Sequence, residues 1–381
     1  MKIRDFRREF VYHSPQFPGY TCWTGLYTLP DGSVMCTFTQ ATGSFRGRPQ
    51  APESVREYLD WPPPGHHGEF GETGEMYDMT GLDLLNVHLR SHDFAGTWDY
   101  VGGDRFETCM NGITGEAEVG LVDGSILRGV WGPYLPYDQV PRDGYIQRST
   151  DGGCSWGSPE VIDSREGFMF WPKRLRTLSD GRVLAGGGLI TIHPEHNHRH
   201  AWFSDATTAL FVSDNKGRSW NGPIDLIPPG QNKKQLGLTE EFDWVELSNG
   251  DLLVVIRADS NPDGNFRLQT RMAASGKTWT PTRIEKAPFP HSGHPEMLMT
   301  REGIAFHVST EAISWTDDEG RTWHDAEIED KPPMRAPPAW YYPRSVQMAN
   351  GDVLVVGHVG GDNGYGQVDQ SIVASRFSLN V

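Results

Sequence analysis

Several stretches of this 381-residue chain set titratable side chains just ahead of short apolar hairpins. EEFDWVELSNGDLLVVIR (240–257) carries Glu241 and Arg257 on either side of one hairpin, and AWYYPRSVQMANG (339–351) carries Tyr341, Tyr342 and Arg344 ahead of another. FWPKRLRTLSDG (170–181) contributes Lys173 and Arg174, and PHSGHPEML (290–298) contributes His291 and His294. GETGEMYDMTGLDLL (71–85) offers Asp78 and Asp83, with Glu72 and Glu75 behind them. A phenol has an ordinary pKa of about 10, so its attack at neutral pH requires a nearby carboxylate to take the proton. Guanidinium and ammonium groups hold anions, and a carboxyl group can protonate a leaving oxygen. Together these residue types suit chemistry on a polar or acidic small molecule.

The elements that must position these residues repeat six times, each as a short strand, an Asx-Gly or Glu-Gly turn and a second apolar strand. They read LYTLPDGSVMCTF, VGLVDGSILRGV, LRTLSDGRVLAGG, WVELSNGDLLVVI, MLMTREGIAFHV and VQMANGDVLVVG. Asp-Gly and Asn-Gly supply the positive φ of a two-residue hairpin turn, and alternating flanks indicate half-buried strands. A second pattern, Ser/Thr-x-Asp-x-Gly-x-Thr/Ser-Trp, follows the hairpins as STDGGCSW (149–156) and TDDEGRTW (316–323). Degraded copies are SDNKGRSW (213–220), SHDFAGTW (91–98) and MAASGKTW (272–279), and only the sixth repeat lacks one. Such an Asp accepts bonds from turn amides, with Asp151 and Asp317 expected in that part, while the Trp staples the turn to its neighbours. The expected role of these turns is structural and not catalytic.

This pattern is the Asp box, and along nearly its whole length the chain resembles the sialidase-like propellers. The resemblance implies an all-β fold, a six-bladed β-propeller, spanning 1–381 as one domain. Its terminal strands would pair near Phe10-Val11 and Ile372–Phe377. The first two turns stand 92 residues apart, whereas later gaps run from 48 to 69, which places an insertion in the first blade at about 41–83.

In that family the glutamate ahead of a Val-Glu-Leu hairpin activates a tyrosine nucleophile, and the arginine following it holds a substrate carboxylate. The resemblance thus implies Tyr342 as nucleophile, with Tyr341 next to it, Glu241 as its base and Arg257 as anion anchor. The family's general acid precedes the first Asp box, which points to Asp78. Two of the family's three arginines have no counterpart: TCWTGLYTLPDG has Thr21 and Cys22 where the first would fall, and HVSTEAISWTDDEG contains none. Lys173, Arg174, Arg344, His291 and His294 are the groups available in their place. The implied activity is an exo-acting, retaining glycoside hydrolase on an acidic or polar sugar. A polysaccharide lyase drawing its base from Tyr342, His291 or His294 is a second reading, and a non-catalytic carbohydrate-binding propeller a third.

Composition narrows the partners. Hydrophobic residues make up 37%, with 44 Gly, 27 Pro and 13 Trp, a mix suited to short strands and tight turns. A formal charge of −16 disfavours nucleic acid and anionic membranes. No stretch reaches the length of a membrane span, and MKIRDFRREF lacks the apolar run of a signal peptide. The chain as given therefore reads as cytoplasmic, or exported if it is a processed form. Cys22, Cys36, Cys109 and Cys154 lack metal-ligand spacing, and Cys22 with Cys36 would form a disulfide only in an exported protein. The His-rich run HPEHNHRH (193–200) reads as a solvated loop, so neither metal nor cofactor is expected.

Overall fold

A computed structural model describes residues 2–14, 19–42, 83–105, 117–130, 144–191, 207–238, 241–258, 267–288, 294–310, 312–329, 340–359 and 371–380. These form six sheets, antiparallel except where Lys2 and Ile3 pair parallel with Glu327 and Ile328 at the edge of one of them. In chain order the described strands of the blades begin at residues 19, 118, 168, 242, 296 and 341, and the sixth blade takes its outermost long strand, Lys2–His13, from the start of the chain. The first strand of each blade lines the centre: Gly19–Thr28, Glu118–Gly120, Phe168–Thr177, Phe242–Glu246, Glu296–Met299 and Tyr341–Gln347. Among the described residues the only helix is the single turn Lys233–Leu236.

The ring is closed where Lys2–His13 pairs antiparallel with Ser371–Asn380, bringing Phe10 opposite Val373 and Tyr12 opposite Ile372. That closure also explains why the sixth repeat lacks the acidic turn. In the other blades this segment leads from the third strand to the fourth, whereas the fourth strand of blade 6 comes from the other end of the chain.

The hairpin turns differ from the two-residue form expected. In each, the glycine N–H donates to the residue three positions earlier, as in Gly32 to Leu29 at 2.9 Å, and the flanking pair is closed by Leu29 N–H to the Ser33 carbonyl. Only the glycine is left-handed, for example Gly32 at φ 82° and Gly181 at φ 86°. This is a type I turn followed by a glycine bulge. The acidic residue keeps a negative φ and caps the turn through its side chain: Asp31 Oδ1 accepts from the Ser33 N–H at 3.0 Å and hydroxyl at 2.6 Å.

The acidic turns make the contacts expected of them in four blades, around Asp93, Asp151, Asn215 and Asp318. Asp318, and not Asp317, accepts from the Thr322 N–H at 2.9 Å and hydroxyl at 2.6 Å, matching Asp151 with Ser155. MAASGKTW makes no such turn. Ser275 pairs directly with Thr278 around Gly276, although Trp279 still donates to the Gly250 carbonyl at 2.9 Å.

Blades are held together by apolar seams between sheets. One joins Leu178, Leu184, Leu210 and Val212 of blade 3 to Phe242, Trp244, Leu252, Val254 and Ile256 of blade 4, nearly all sealed from solvent. Burying each such side chain contributes roughly 1.5–3 kcal/mol, so the seams dominate stability and fix the angle between blades. The turn tryptophans reach into these seams. Trp323 packs beside Val255 and Met297, and its indole N–H reaches Gln269 of the preceding blade at 3.0 Å. Cys36 is a free, buried thiol, so it forms no disulfide with Cys22.

Candidate active site

Three of the six inner strands lose register towards the same end: between Cys22 and Gly25, between Pro172 and Arg174, and between Tyr341 and Arg344. A bulge inserts a residue and re-aims the side chains beside it, and bulges concentrate next to active sites. That end of the channel gathers most of the residues singled out from the sequence.

A lower layer stands seven residues ahead of the turn glycines, where Arg174, Asp243, Glu296 and Arg344 occupy one station on blades 3 to 6. Gly25 and Ala117 hold that station in blades 1 and 2, so a third of the wall bears nothing larger than a methyl group. Asp243 Oδ1 accepts from Arg174 Nε at 3.1 Å, and its Oδ2 from Arg176 Nη2 at 2.6 Å and the Met297 N–H at 2.7 Å. Burial opposes ionisation of Asp243, but Arg174 and Arg176 outweigh it and hold the carboxyl below its usual range. Glu296 Oε1 accepts from the Ser345 N–H at 2.7 Å and hydroxyl at 2.8 Å, while Oε2 lies 2.6 Å from Arg174 Nη2 and 3.7 Å from Arg344 Nη1. One buried ion network thus ties four successive blades.

The upper layer stands nine residues ahead of the same glycines: Glu241, His294 and Tyr342 on blades 4, 5 and 6. Glu241 Oε2 accepts from Arg257 Nη1 at 2.5 Å. Burial pushes the Glu241 carboxyl up, but Arg257, Lys173 and Arg267 together bring it below the usual value, so it is ionised. His294 is buried, and burial followed by Arg344, Arg174, Lys173 and Arg257 pushes its pKa well down. Its Nδ1 lies 2.8 Å from the Pro295 carbonyl and 3.2 Å from Arg344 Nη1. One nitrogen cannot serve both: a proton on Nδ1 satisfies the carbonyl and leaves Nε2 its lone pair. The Tyr342 ring lies 5.5 Å from that of His294, tilted by 40°, and stacks 5.9 Å from that of His358. Burial brings His358 down to about 3, so both imidazoles beside the phenol are neutral at physiological pH.

Lys173, Arg174, Glu241, Arg257, His294, Tyr342 and Arg344 therefore belong to one cluster. Asp78, His291, residues 43–82 of the insertion and the His-rich run lie outside the described residues. Asp83, the alternative acid, is on the third strand of blade 1 and pairs with Arg105 of the fourth. Four members were not foreseen: Asp243, Glu296, Arg176 and Arg267. The first two share the station of Arg174 and Arg344 relative to the turn glycine, a signal present in the sequence. Arg267 opens the third strand of blade 4 opposite Arg257, and no local pattern marks it. Among the described residues the cluster sets Lys173, Arg174, Arg176, Arg257, Arg267 and Arg344 against Glu241, Asp243 and Glu296, an excess of cations inside a protein of formal charge −16.

No protein-family model and no curated protein sequence matches the chain. Solved structures do. A protein of unknown function from Dyadobacter fermentans superposes with a TM-score of 0.62 at 17% identity, covering 99% of this chain and 100% of its own. The intramolecular trans-sialidase from Ruminococcus gnavus, in complex with oseltamivir carboxylate, gives 0.61 at 9% identity, with 97% of each chain covered. The GH93 α-L-arabinofuranosidase of Fusarium graminearum, in complex with arabinobiose, gives 0.58 at 12% identity, with 98% of each covered. The chain therefore shares its six-bladed β-propeller fold with these proteins.

Proposed function

We propose that the protein is a glycoside hydrolase acting on terminal sugar units that carry an anionic group, with Tyr342 as nucleophile and Glu241 as its base. The observation that carries this reading is the shared station of Glu241, His294 and Tyr342 on three successive inner strands, inside a buried excess of cations. In the first step the Tyr342 oxygen bonds to the anomeric carbon as the glycosidic C–O bond breaks, the phenol proton passes to Glu241, and a carboxylic acid protonates the leaving oxygen. Asp78 is the candidate for that acid. Water then attacks the same carbon as it gives a proton to the carboxylate that had served as acid, the C–O bond to Tyr342 breaks and the tyrosine takes back the proton held by Glu241, so configuration is retained.

The Glu241–Arg257 pair gives the anionic group a further part. A substrate carboxylate that draws Arg257 towards itself leaves Glu241 with less positive charge, and its pKa rises towards the usual range. The base then becomes stronger only when the right substrate is bound.

A screen of aryl glycosides of acidic and neutral sugars tests the assignment. Turnover is expected on acidic glycosides, with Tyr342→Phe lowering kcat on the order of a thousandfold or more while the fold is kept. Near-normal turnover by Tyr342→Phe would remove the nucleophile assignment. A lyase is the second reading, favoured by the His294 Nδ1 contact with Pro295, which leaves Nε2 as a base beside Tyr342. A lyase acting on a uronate chain releases a product with ultraviolet absorbance, which hydrolysis does not.

A further inference from the structure

Seven non-glycine residues among those described have a left-handed backbone. Phe94, Ala95, Lys216 and Glu319 belong to the acidic turns, and Asp5 lies on the outer strand of blade 6. Only Trp23, at φ 51°, and Tyr342, at φ 46°, lie on inner strands, and each sits in a bulge at the site end of the channel. For a large aromatic residue this conformation crowds Cβ against the backbone, and it persists only where the surroundings hold it.

One holding contact is specific. Thr24, the residue after Trp23, is fully buried, and its Oγ1 donates to the Tyr342 carbonyl at 2.6 Å. Tyr342 and Pro343 have fallen out of the strand ladder at this point, and Pro343 has no N–H to give. The bond thus runs from the bulge of blade 1 to the bulge of blade 6, adjacent blades on either side of the place where the ring begins and ends.

We propose that Thr24 is a positioning residue, whose hydroxyl locks the Tyr342 bulge and so aims the phenol into the cluster of Glu241 and His294. The part it plays in turnover rests on the reading of Tyr342 as nucleophile, whereas the lock itself does not. Thr24→Val keeps the shape, removes the donor and leaves a buried carbonyl short of a bond. Thr24→Ser keeps the donor.

The experiment measures amide hydrogen exchange in the full chain and, in parallel, kinetics on the aryl glycoside identified by the screen. Thr24→Val is expected to accelerate exchange in segment 340–346 by about tenfold, with the strand Val183–Thr191 of blade 3 unchanged. It should lower kcat by about tenfold or more with little change in KM, and Thr24→Ser should return both readings to near the parent. Exchange that stays at the parental rate in 340–346, or that rises equally in all blades, would overturn the lock. If Thr24→Val does not fold, Thr24→Ala replaces it in the same comparison. Tyr342→Phe assayed alongside separates the two ideas: an active Tyr342→Phe removes the nucleophile reading and leaves the exchange result to decide on the lock.

Discussion

Glu241 and Arg257 are joined twice, by their side chains at 2.5 Å and by the Arg257 N–H to the Glu241 carbonyl at 2.9 Å, so the two strands that carry them also fix their pairing. A carboxylate gripped by a guanidinium stays ionised to lower pH and is correspondingly a weaker base. Arg257→Met removes the largest of the cationic influences on Glu241. The Glu241 pKa should then rise, and because the base must be deprotonated to act, the acidic limb of kcat/KM should move to higher pH. A limb that stays in place while kcat/KM falls would show that another group titrates there.

Asp243 accepts hydrogen bonds from both Arg174 and Arg176, and it also caps the Met297 N–H. Asp243→Asn leaves two guanidiniums in a buried site short of a counter-charge, so denaturant unfolding should show a loss of about 3–5 kcal/mol. The pH dependence has a definite sign. A carboxyl depressed in the folded state contributes stability above its unfolded pKa, about 3.9, and loses it as pH falls towards the folded value. The gap between parent and variant should therefore be full at neutral pH and narrow below about pH 4. A gap that is constant through the acid range would mean that the charge of Asp243 is not what stabilises the network.

The acidic turns should affect folding and not turnover. Asp151→Ala and Asp318→Ala each remove a side chain that accepts from a backbone N–H and a hydroxyl in the same turn. Both variants should melt a few degrees below the parent, with the kcat of the folded enzyme preserved. Asp317→Ala, one residue away, should melt close to the parent. A selective loss of turnover in well-folded Asp318→Ala would place these turns in the mechanism.

How much of this was legible follows from how local each signal is. The six Asx-Gly or Glu-Gly turns announce themselves in three or four residues, and with them came the blade count, the closing strand and the station of Glu241, Tyr342, Arg174 and Arg344. Counted from Thr316, the spacing of the turn motif falls on Asp318 and not on the expected Asp317, and the bonds of Asp318 to Thr316 and Thr322 agree with the spacing. Arg267 and Thr24 were invisible because each acts across strands. Arg267 meets the cluster through the pairing of Arg257 with the third strand of blade 4, and Thr24 reaches Tyr342 only because both inner strands bulge. A bulge shifts register by one residue and has no signature of its own in TCWTG or WYYPR.

The roles proposed for Tyr342 and Glu241 predict how their effects combine. If the phenol is the nucleophile and the carboxylate takes its proton, the two act in one step, and removing either disables the same event. Tyr342→Phe and Glu241→Gln should each lower kcat strongly, and the double variant should be little worse than the worse single one. Independent contributions would instead multiply. Glu241→Gln also strips Arg257 of its partner, so its substrate affinity can change for a reason unrelated to proton transfer. The comparison therefore belongs on kcat at saturating substrate, with each variant checked for a parental unfolding profile. Multiplying effects on kcat would separate the two residues, leaving Glu241 as part of the anion-binding cluster and the base for Tyr342 to be sought elsewhere, first at His294, whose ring lies against the phenol.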